Sequence, residues 1–473
     1  MGQGPSTSAL QQCIQGVANN RANFAAFAGS PLYQIQWVKP YNLDVPVEPA
    51  AVVRPETAQD ISDIIKCANA NGVKVQAKSG GHSYQNYGAG GSDGAVAIDM
   101  VNFQKFSMDT KTWYATIGAG NRLGEVDKKM HAQGGRAMAH GVCPGVGLGG
   151  HATIGGLGPM SRMWGSALDH IVEVEVVTAD GKIQRASATQ NEDLFWALKG
   201  SASGFGVITE FVVRTHPEPA NVVQYEYTIK LGKQADVAPL YSKWQALMAD
   251  PKLDRRFGSM FIMFPLGAII TGTFYGTREE FLTTGIPNAL PQDGNGHLVI
   301  NDWLGGLAHD AEKEALYLSG LAMPFVSRSL AFKRQDLLGP EKIKDIFNWV
   351  DTQKKGTLLW FIIFDAAGGA IEDVPQNATA FAHRDKVMYY QSYGIGLPVT
   401  KTTKDFITGF HDQVVQKAGP GTWGTYPGYV NNALVDQQKQ YWDSNLPALE
   451  QIKARWDPKD LFHNPGSVRP AKN

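Results

Sequence analysis

Two glycine-rich stretches carry the side chains best suited to chemistry. The first, Lys78-Ser79-Gly80-Gly81-His82-Ser83-Tyr84, follows the apolar stretch Val73 to Ala77. Consecutive glycines let a backbone take positive φ and approach a ligand closely. Successive N–H groups in such a turn form a concave site for anions, phosphate above all. His82 is then held against whatever binds there. The second, Gly141-Val142-Cys143-Pro144-Gly145-Val146-Gly147-Leu148-Gly149-Gly150-His151, sets a lone cysteine in another glycine-rich loop. Either stretch alone is equally well explained as a tight turn with a surface side chain; the two in this order are harder to dismiss.

Together they resemble the flavin oxidases of the berberine bridge enzyme type, within the vanillyl-alcohol oxidase family, and most of all the branch of fungal glucooligosaccharide and chitooligosaccharide oxidases. The resemblance continues in Asn191-Glu192-Asp193-Leu194-Phe195-Trp196 and in Gly204-Phe205-Gly206-Val207-Ile208, and returns in Asp457-Pro458-Lys459-Asp460-Leu461-Phe462. It implies FAD bonded twice, from His82 to the flavin 8α-methyl and from Cys143 to C6. It also implies that Ser79, Gly80, Gly81 and Ser83 surround the first attachment, and Gly147, Gly149, Gly150, His151, Gly155 and Gly156 the second. Gly206, Val207 and Ile208 would lie on the cofactor too, with His151 packing beside the flavin rather than acting as a catalyst.

The flavin is electrophilic at both positions, so a neutral imidazole and a thiolate suit them, and backbone N–H groups in a glycine loop can depress the Cys143 pKa. Removing hydride from a hydroxyl-bearing carbon also requires a proton acceptor. The resemblance assigns that role to Tyr429, in Thr425-Tyr426-Pro427-Gly428-Tyr429-Val430-Asn431, assisted by Asp365 before Ala366-Ala367-Gly368-Gly369. Tyrosine titrates near pH ~10, and a carboxylate beside it raises that value. Asp365 therefore helps only by taking the proton of Tyr429 as the substrate gives up its own. The plain readings are a half-buried tyrosine, one of 16, and an aspartate that starts a turn.

The departures concern the substrate. Gly428 and Asn431 stand where the family carries Asn and Asp. The strand that bears charged sugar ligands in the sugar oxidases reads Gly258-Ser259-Met260-Phe261-Ile262-Met263-Phe264 here, and Phe361-Ile362-Ile363-Phe364 precedes Asp365. A site built to bond hydroxyls loses heavily when its polar groups go. Tyr84 and Gln391 still match polar substrate positions, with Phe361 and Ile363 as apolar ones. Val146 has the small-residue character that, by the resemblance, goes with oxygen access in this family. The expected activity is oxidation of the anomeric hydroxyl of a saccharide, with O2 reduced to hydrogen peroxide. The alternatives are an apolar alcohol or secondary-metabolite precursor, and a flavin-bearing binding protein without turnover, which the retention of Tyr429 and Asp365 argues against.

Composition bounds the rest. A chain of 473 residues is long enough for two domains. A net charge of −1 with 18% charged residues gives no electrostatic case for nucleic acid or anionic membrane. The longest strongly apolar run, Leu358 to Phe364, falls far short of a bilayer span. The first 30 residues lack a basic start followed by an apolar core; Met1–Ser6 matches the short N-myristoylation pattern, which carries no weight alone. Of the three cysteines, Cys13 and Cys67 lie where the resemblance implies a disulfide, against two buried thiols as the plain reading. With the sequon Asn377-Ala378-Thr379, that gives an expectation of a secreted, extracellular monomer. No metal site is expected.

The elements that must position these residues follow from pattern. Thr57 caps a helix with Asp60 three residues on, and Ile61, Ile64, Ile65 and Ala68 form one buried face. Gly72 stops it, and the next strand delivers the His82 loop, as a strand–helix–strand unit does for its ligand. Strands follow at Ala95–Asp99 and Trp113–Ile117, then a helix over Arg122–Gln133. Gly145-x-Gly147-x-x-Gly150, with Asp169 downstream, matches the dinucleotide fingerprint literally. It runs into His151-Ala152-Thr153-Ile154-Gly155-Gly156, where no long helix can follow, so a Rossmann reading is rejected. Ile171–Thr178 and the turn at Asp180-Gly181 predict a hairpin. Strands Val222–Ile229, Met260–Phe264 and Leu358–Phe364 alternate with helices Val237–Met248 and Pro340–Thr352. The resulting expectation is an α+β, two-domain vanillyl-alcohol-oxidase-type FAD-binding fold. Residues 1–217 and 422–473 would bind FAD, and residues 218–421 would form a substrate domain of antiparallel sheet covered by helices.

Overall fold

The computed structural model describes residues 7–230, 232–291, 296–313 and 321–472. The Met1–Ser6 pattern lies outside them. Four sheets, of four, five, two and eight strands, organise the described residues, the smallest pairing Arg136–Ala137 with His216–Pro217.

The four-stranded sheet runs in the order Ala25–Phe27, Ala51–Val53, Val96–Asp99, Val75–Lys78. The last three strands are parallel, and the helix Ala58–Ala70 joins Ala51–Val53 to Val75–Lys78. That helix starts where its sequence says: the Thr57 side chain accepts from the Asp60 N–H, and the Asp60 carboxylate accepts from the Thr57 N–H. Such a cap contributes about 1 kcal/mol. Ile61, Ile64, Ile65 and Ala68 are fully buried, at about 1.5–3 kcal/mol for each isoleucine. On its far end Cys67 is bonded to Cys13 of the helix Thr7–Ala18.

The five-stranded sheet is antiparallel, in the order Phe106–Asp109, Tyr114–Gly118, Val207–Arg214, Ile171–Val177, Ile183–Ser187. The eight-stranded sheet is antiparallel throughout: Gly296–Asn301, Val222–Lys230, Gly267–Tyr275, Phe257–Phe264, Leu359–Ala366, Lys386–Ile395, Phe325–Lys333, Trp423–Gly424. Alternation divides its faces. Phe261, Met263, Ile362 and Phe364 pack under the helices Ala238–Ala249, Pro340–Thr352 and Lys401–Ala418. Met260, Phe361, Ile363 and Asp365 look the other way, into a cleft.

Several boundaries differ from the sequence reading. The strand before His82 is Val75–Lys78, and a strand at Phe106–Asp109 was not foreseen. The glycine fingerprint does open a helix, but only the single turn Leu148–His151. Asp169 is occupied elsewhere: it caps Ser166 and takes a bidentate ion pair from buried Arg384 at 2.8 Å. The chain ends by returning to the first sheet. Val75 donates its N–H to Leu461 O, and Phe462 bridges to Val75 in parallel. Lys453, wholly buried, holds that return. Its Nζ donates to the carbonyls of Gly204 and Phe462 and to Asp457, whose carboxylate accepts from Leu461 and Phe462 N–H.

Candidate active site

The two glycine loops meet backbone to backbone. A Cβ on Gly80 would stand 2.2 Å from Gly147 N, and one on Gly147 would stand 2.0 Å from Gly80 N, so neither position accepts a side chain. The contact sets the His82 ring over Gly145, with 3.2 Å between Nε2 and an added Cβ there. Ser79 Oγ donates to Ala119 O at 2.6 Å and fixes the first loop from below. Leu123 and Gly124, in the first turn of the helix Leu123–Ala132, donate their N–H groups to Val146 O and Pro144 O and fix the second. His82 stacks on Tyr41 with ring centroids 4.6 Å apart, a partner the sequence reading missed. Burial, then the charge of Arg122, pushes the His82 imidazole down to about 4. It is therefore neutral and nucleophilic at ordinary pH. Cys143 is half-buried and takes no part in the disulfide.

One cleft is lined by Ser79, Gly80, Gly81, His82 and Ser83 from the first loop and by Cys143, Val146, Gly147, Gly150 and His151 from the second. Its wall also includes Gln76, Ser203 and Asn464, and Asp365 and Tyr429. Other residues of the sequence reading stand off the wall. Gly149 O accepts from Thr153 Oγ1, and Gly156 N–H donates to Tyr426 OH at 2.8 Å. Gly155 packs on the rings of Tyr426 and Phe381. Gly206, Val207 and Ile208 lie where the strand Val207–Arg214 packs on Ile171–Val177, with Gly206 pressed against Val176. They serve the sheet beneath the cleft. His151 does pack in the loop: its Nε2 accepts from Gly141 N–H at 2.8 Å.

Tyr429 is positioned by a turn in which its N–H donates to Tyr426 O, and by Ser329 Oγ, which donates to its carbonyl at 2.6 Å. Gly428 belongs to that turn, because a Cβ there would stand 2.2 Å from the Tyr426 ring; this accounts for the glycine in place of asparagine. The Tyr429 hydroxyl donates to Asp365 Oδ2 at 3.1 Å. Arg162 anchors the aspartate's strand end by donating to Ala367 O and Phe257 O. Burial raises the Asp365 carboxyl to about 7, against the opposing pull of the Tyr429 bond. Burial, then the Asp365 charge, drives the Tyr429 phenol well above its ordinary value. At neutral pH the pair is thus a phenol donating to a carboxyl group that is partly ionised.

Tyr84 and Gln391 are joined through a residue the sequence reading missed. Tyr393 OH donates to Gln391 Oε1 at 2.5 Å and lies 2.7 Å from Tyr84 OH, so Tyr84 donates to it. Around them Phe325, Phe361, Ile363 and Tyr393 form an apolar cluster with Met260 and Met323 packed on it. Polar groups also reach the cleft wall, but from neighbouring strands: Gln224 and Glu226 of Val222–Lys230, Thr271 and Thr273 of Gly267–Tyr275.

The residues present fit FAD. A neutral imidazole and a cysteine flank one cleft, and Ser201 Oγ, 1% exposed on that cleft's wall, has no hydrogen-bond partner among the described residues. The described residues hold no cluster suited to a metal ion, and none of their helices is long and apolar enough to cross a membrane.

Comparison with known proteins agrees. Residues 49–187 match the FAD binding domain and residues 425–469 the berberine and berberine like family. The FAD-linked oxidoreductase sorD of Penicillium rubens is 36% identical, over 98% of this chain and 99% of that one. The xylooligosaccharide oxidase of Myceliophthora thermophila C1, solved with xylobiose, superposes with a TM-score of 0.89 at 29% identity, over 98% of this chain and all of that one. Glucooligosaccharide oxidase of Acremonium strictum, studied for its 6-S-cysteinyl, 8α-N1-histidyl FAD, superposes at 0.87 and 30% identity, over 98% of this chain and all of that one.

Proposed function

The chain belongs to the FAD-linked oxidoreductases of the berberine bridge enzyme-like type, and on that premise we propose that it is an oxidase carrying FAD bonded to both His82 and Cys143. Bound FAD supplies the two-electron acceptor that takes hydride from a hydroxyl-bearing carbon and delivers the electrons to O2 as hydrogen peroxide. The protein's own part is placement and proton transfer. Tyr429 takes the substrate's hydroxyl proton while its own passes along the existing 3.1 Å bond to Asp365. Neither group does this alone: the phenol is too weak an acid to stay ionised, and the carboxylate reaches the substrate only through it. That bond between two half-buried groups carries the proposal.

The substrate follows from two lines of support. The sugar oxidases among the relatives favour the anomeric hydroxyl of a saccharide. The apolar wall of Met260, Phe325, Phe361 and Ile363 beside Asp365 favours an apolar alcohol. Peroxide release in air, measured against oligosaccharides and against apolar primary and secondary alcohols, separates the two. A chain that releases no peroxide with either panel, and whose flavin stays oxidised without air, would be the flavin-bearing binding protein instead. Val146, on the cleft wall, is the residue we assign to oxygen access. The Cys13–Cys67 bond and the exposed Asn377 suit an extracellular protein, which we take to act as a monomer. We take residues 1–217 with 422–473 as the FAD-binding part and 218–421 as the substrate part.

A further inference from the structure

His140 lies three residues before Cys143 and is 2% exposed. Both of its ring nitrogens face oxygens. Nδ1 is 2.7 Å from Gly141 O, and Nε2 is 2.6 Å from Asp127 Oδ1 on the helix Leu123–Ala132. A carbonyl only accepts, so Nδ1 carries a hydrogen. Imidazole is the more basic partner by about 2.6 pKa units in its ordinary state, so the proton shared with Asp127 rests on Nε2. His140 is therefore an imidazolium, paired with a carboxylate in the interior. The peptide of Gly141 is gripped from both sides, since its carbonyl accepts from His140 and its N–H donates to His151. His151 is neutral, pushed down to about 3 by burial and then by the charge of His140. The same helix that bears Asp127 also holds Pro144 and Val146 by their carbonyls, so the whole Cys143 loop is moored to one rigid element.

We propose that His140, kept doubly protonated by Asp127, is the positioning residue that presents Cys143 for bonding to the flavin. The inference rests on the reading of Cys143 as an attachment residue. Cys143 exchanges its S–H for an S–C bond at flavin C6. That carbon loses its hydrogen as a proton, the thiol proton also leaves, and the two electrons released pass to O2, which becomes hydrogen peroxide. The His140 bond to Gly141 O fixes the backbone two residues before Cys143, which sets where the sulfur can stand against the ring. Replacing the Asp127 carboxylate turns a charge-assisted bond to His140 into a neutral one and loosens the anchor of the loop.

The test reads each linkage separately in purified holoprotein, unfolded in denaturant, alkylated with N-ethylmaleimide and mapped by peptide mass. In the unaltered protein Cys143 resists alkylation and the His82 peptide carries flavin. Asp127→Asn should leave flavin on His82 and expose Cys143 to alkylation, while Asp127→Glu, which restores the carboxylate, should block it again. His140→Asn keeps a donor toward Gly141 without the charge and should also free Cys143; it decides the matter if Asp127→Asn does not fold. Variants that melt with the unaltered protein and keep Cys143 fully blocked would overturn the inference alone. A Cys143 that is alkylated in the unaltered protein would overturn the attachment reading as well.

Discussion

If Asp365 accepts the Tyr429 proton as proposed, its raised carboxyl should set the pH dependence of flavin reduction. Only the ionised form can accept the Tyr429 proton, and its value lies at about 7. The rate should therefore level off above that point and fall about tenfold for each pH unit below it, reaching about one-hundredth near pH ~5. Tyr429 contributes no limb of its own in this range, because its phenol titrates far higher. The assay is anaerobic stopped-flow reduction of the bound flavin at saturating substrate, which separates proton acceptance from reoxidation by O2. Asp365→Asn, which keeps an oxygen to accept the Tyr429 bond but cannot take a proton, should flatten the profile and lower the plateau by about 10²–10⁴. The same shift has a stability sign. An acid raised from 3.8 to about 7 favours the folded state while protonated. That contribution is full below the unfolded value and lost as pH rises through about 7, and it amounts to about 4 kcal/mol. Asp365→Asn should accordingly melt higher than the unaltered protein near pH ~8 and at the same temperature near pH ~4. A reduction rate that is flat from acid to neutral pH, or a full rate in Asp365→Asn, would refute the relay.

Other outcomes follow from the geometry. Tyr429→Phe should leave flavin bonded, as judged by absorbance after denaturation, yet slow its reduction by about 10²–10⁴. Gly80→Ala forces a Cβ to 2.2 Å from Gly147 N; the loops must part at about 1–3 kcal/mol, and flavin content per chain should drop with the melting temperature. Reducing Cys13–Cys67, which closes a separation of 54 residues, should remove about 4 kcal/mol, measured by chemical denaturation, with both flavin linkages unchanged.

What the sequence discloses here is whatever is local. The cap at Thr57 and Asp60, the buried stripe from Ile61 to Ala68 and the two glycine loops are all written within a few residues of themselves. Tyr429 and Asp365 could be named from their phrases, although only the structure puts a 3.1 Å bond between them. Contacts across the sheet were out of reach. Tyr41 meets His82, and Tyr393 links Tyr84 to Gln391, over separations no periodicity records. The polar residues of the substrate end illustrate the reason. The strand reading Met260-Phe261-Ile262 is apolar as expected, but Thr271 lies opposite Met260 and Glu226 opposite Thr271, on strands brought alongside by the sheet order. Gly428 stood out as a departure bearing on the substrate, and its space is taken by the Tyr426 ring.

The parallel bridge between Val75 and Phe462 has a consequence for how the protein is made. The strand that carries the His82 loop receives that neighbour from near the far end of the chain, secured by Lys453. At about 5–20 residues per second, a ribosome needs roughly 20–80 s to travel from one partner to the other. During that interval the N-terminal half waits with its cofactor cradle open along one edge. Replacing Lys453 with Met, which spares the glycine loops, would accordingly be expected to leave that edge open and the protein more exposed to proteolysis.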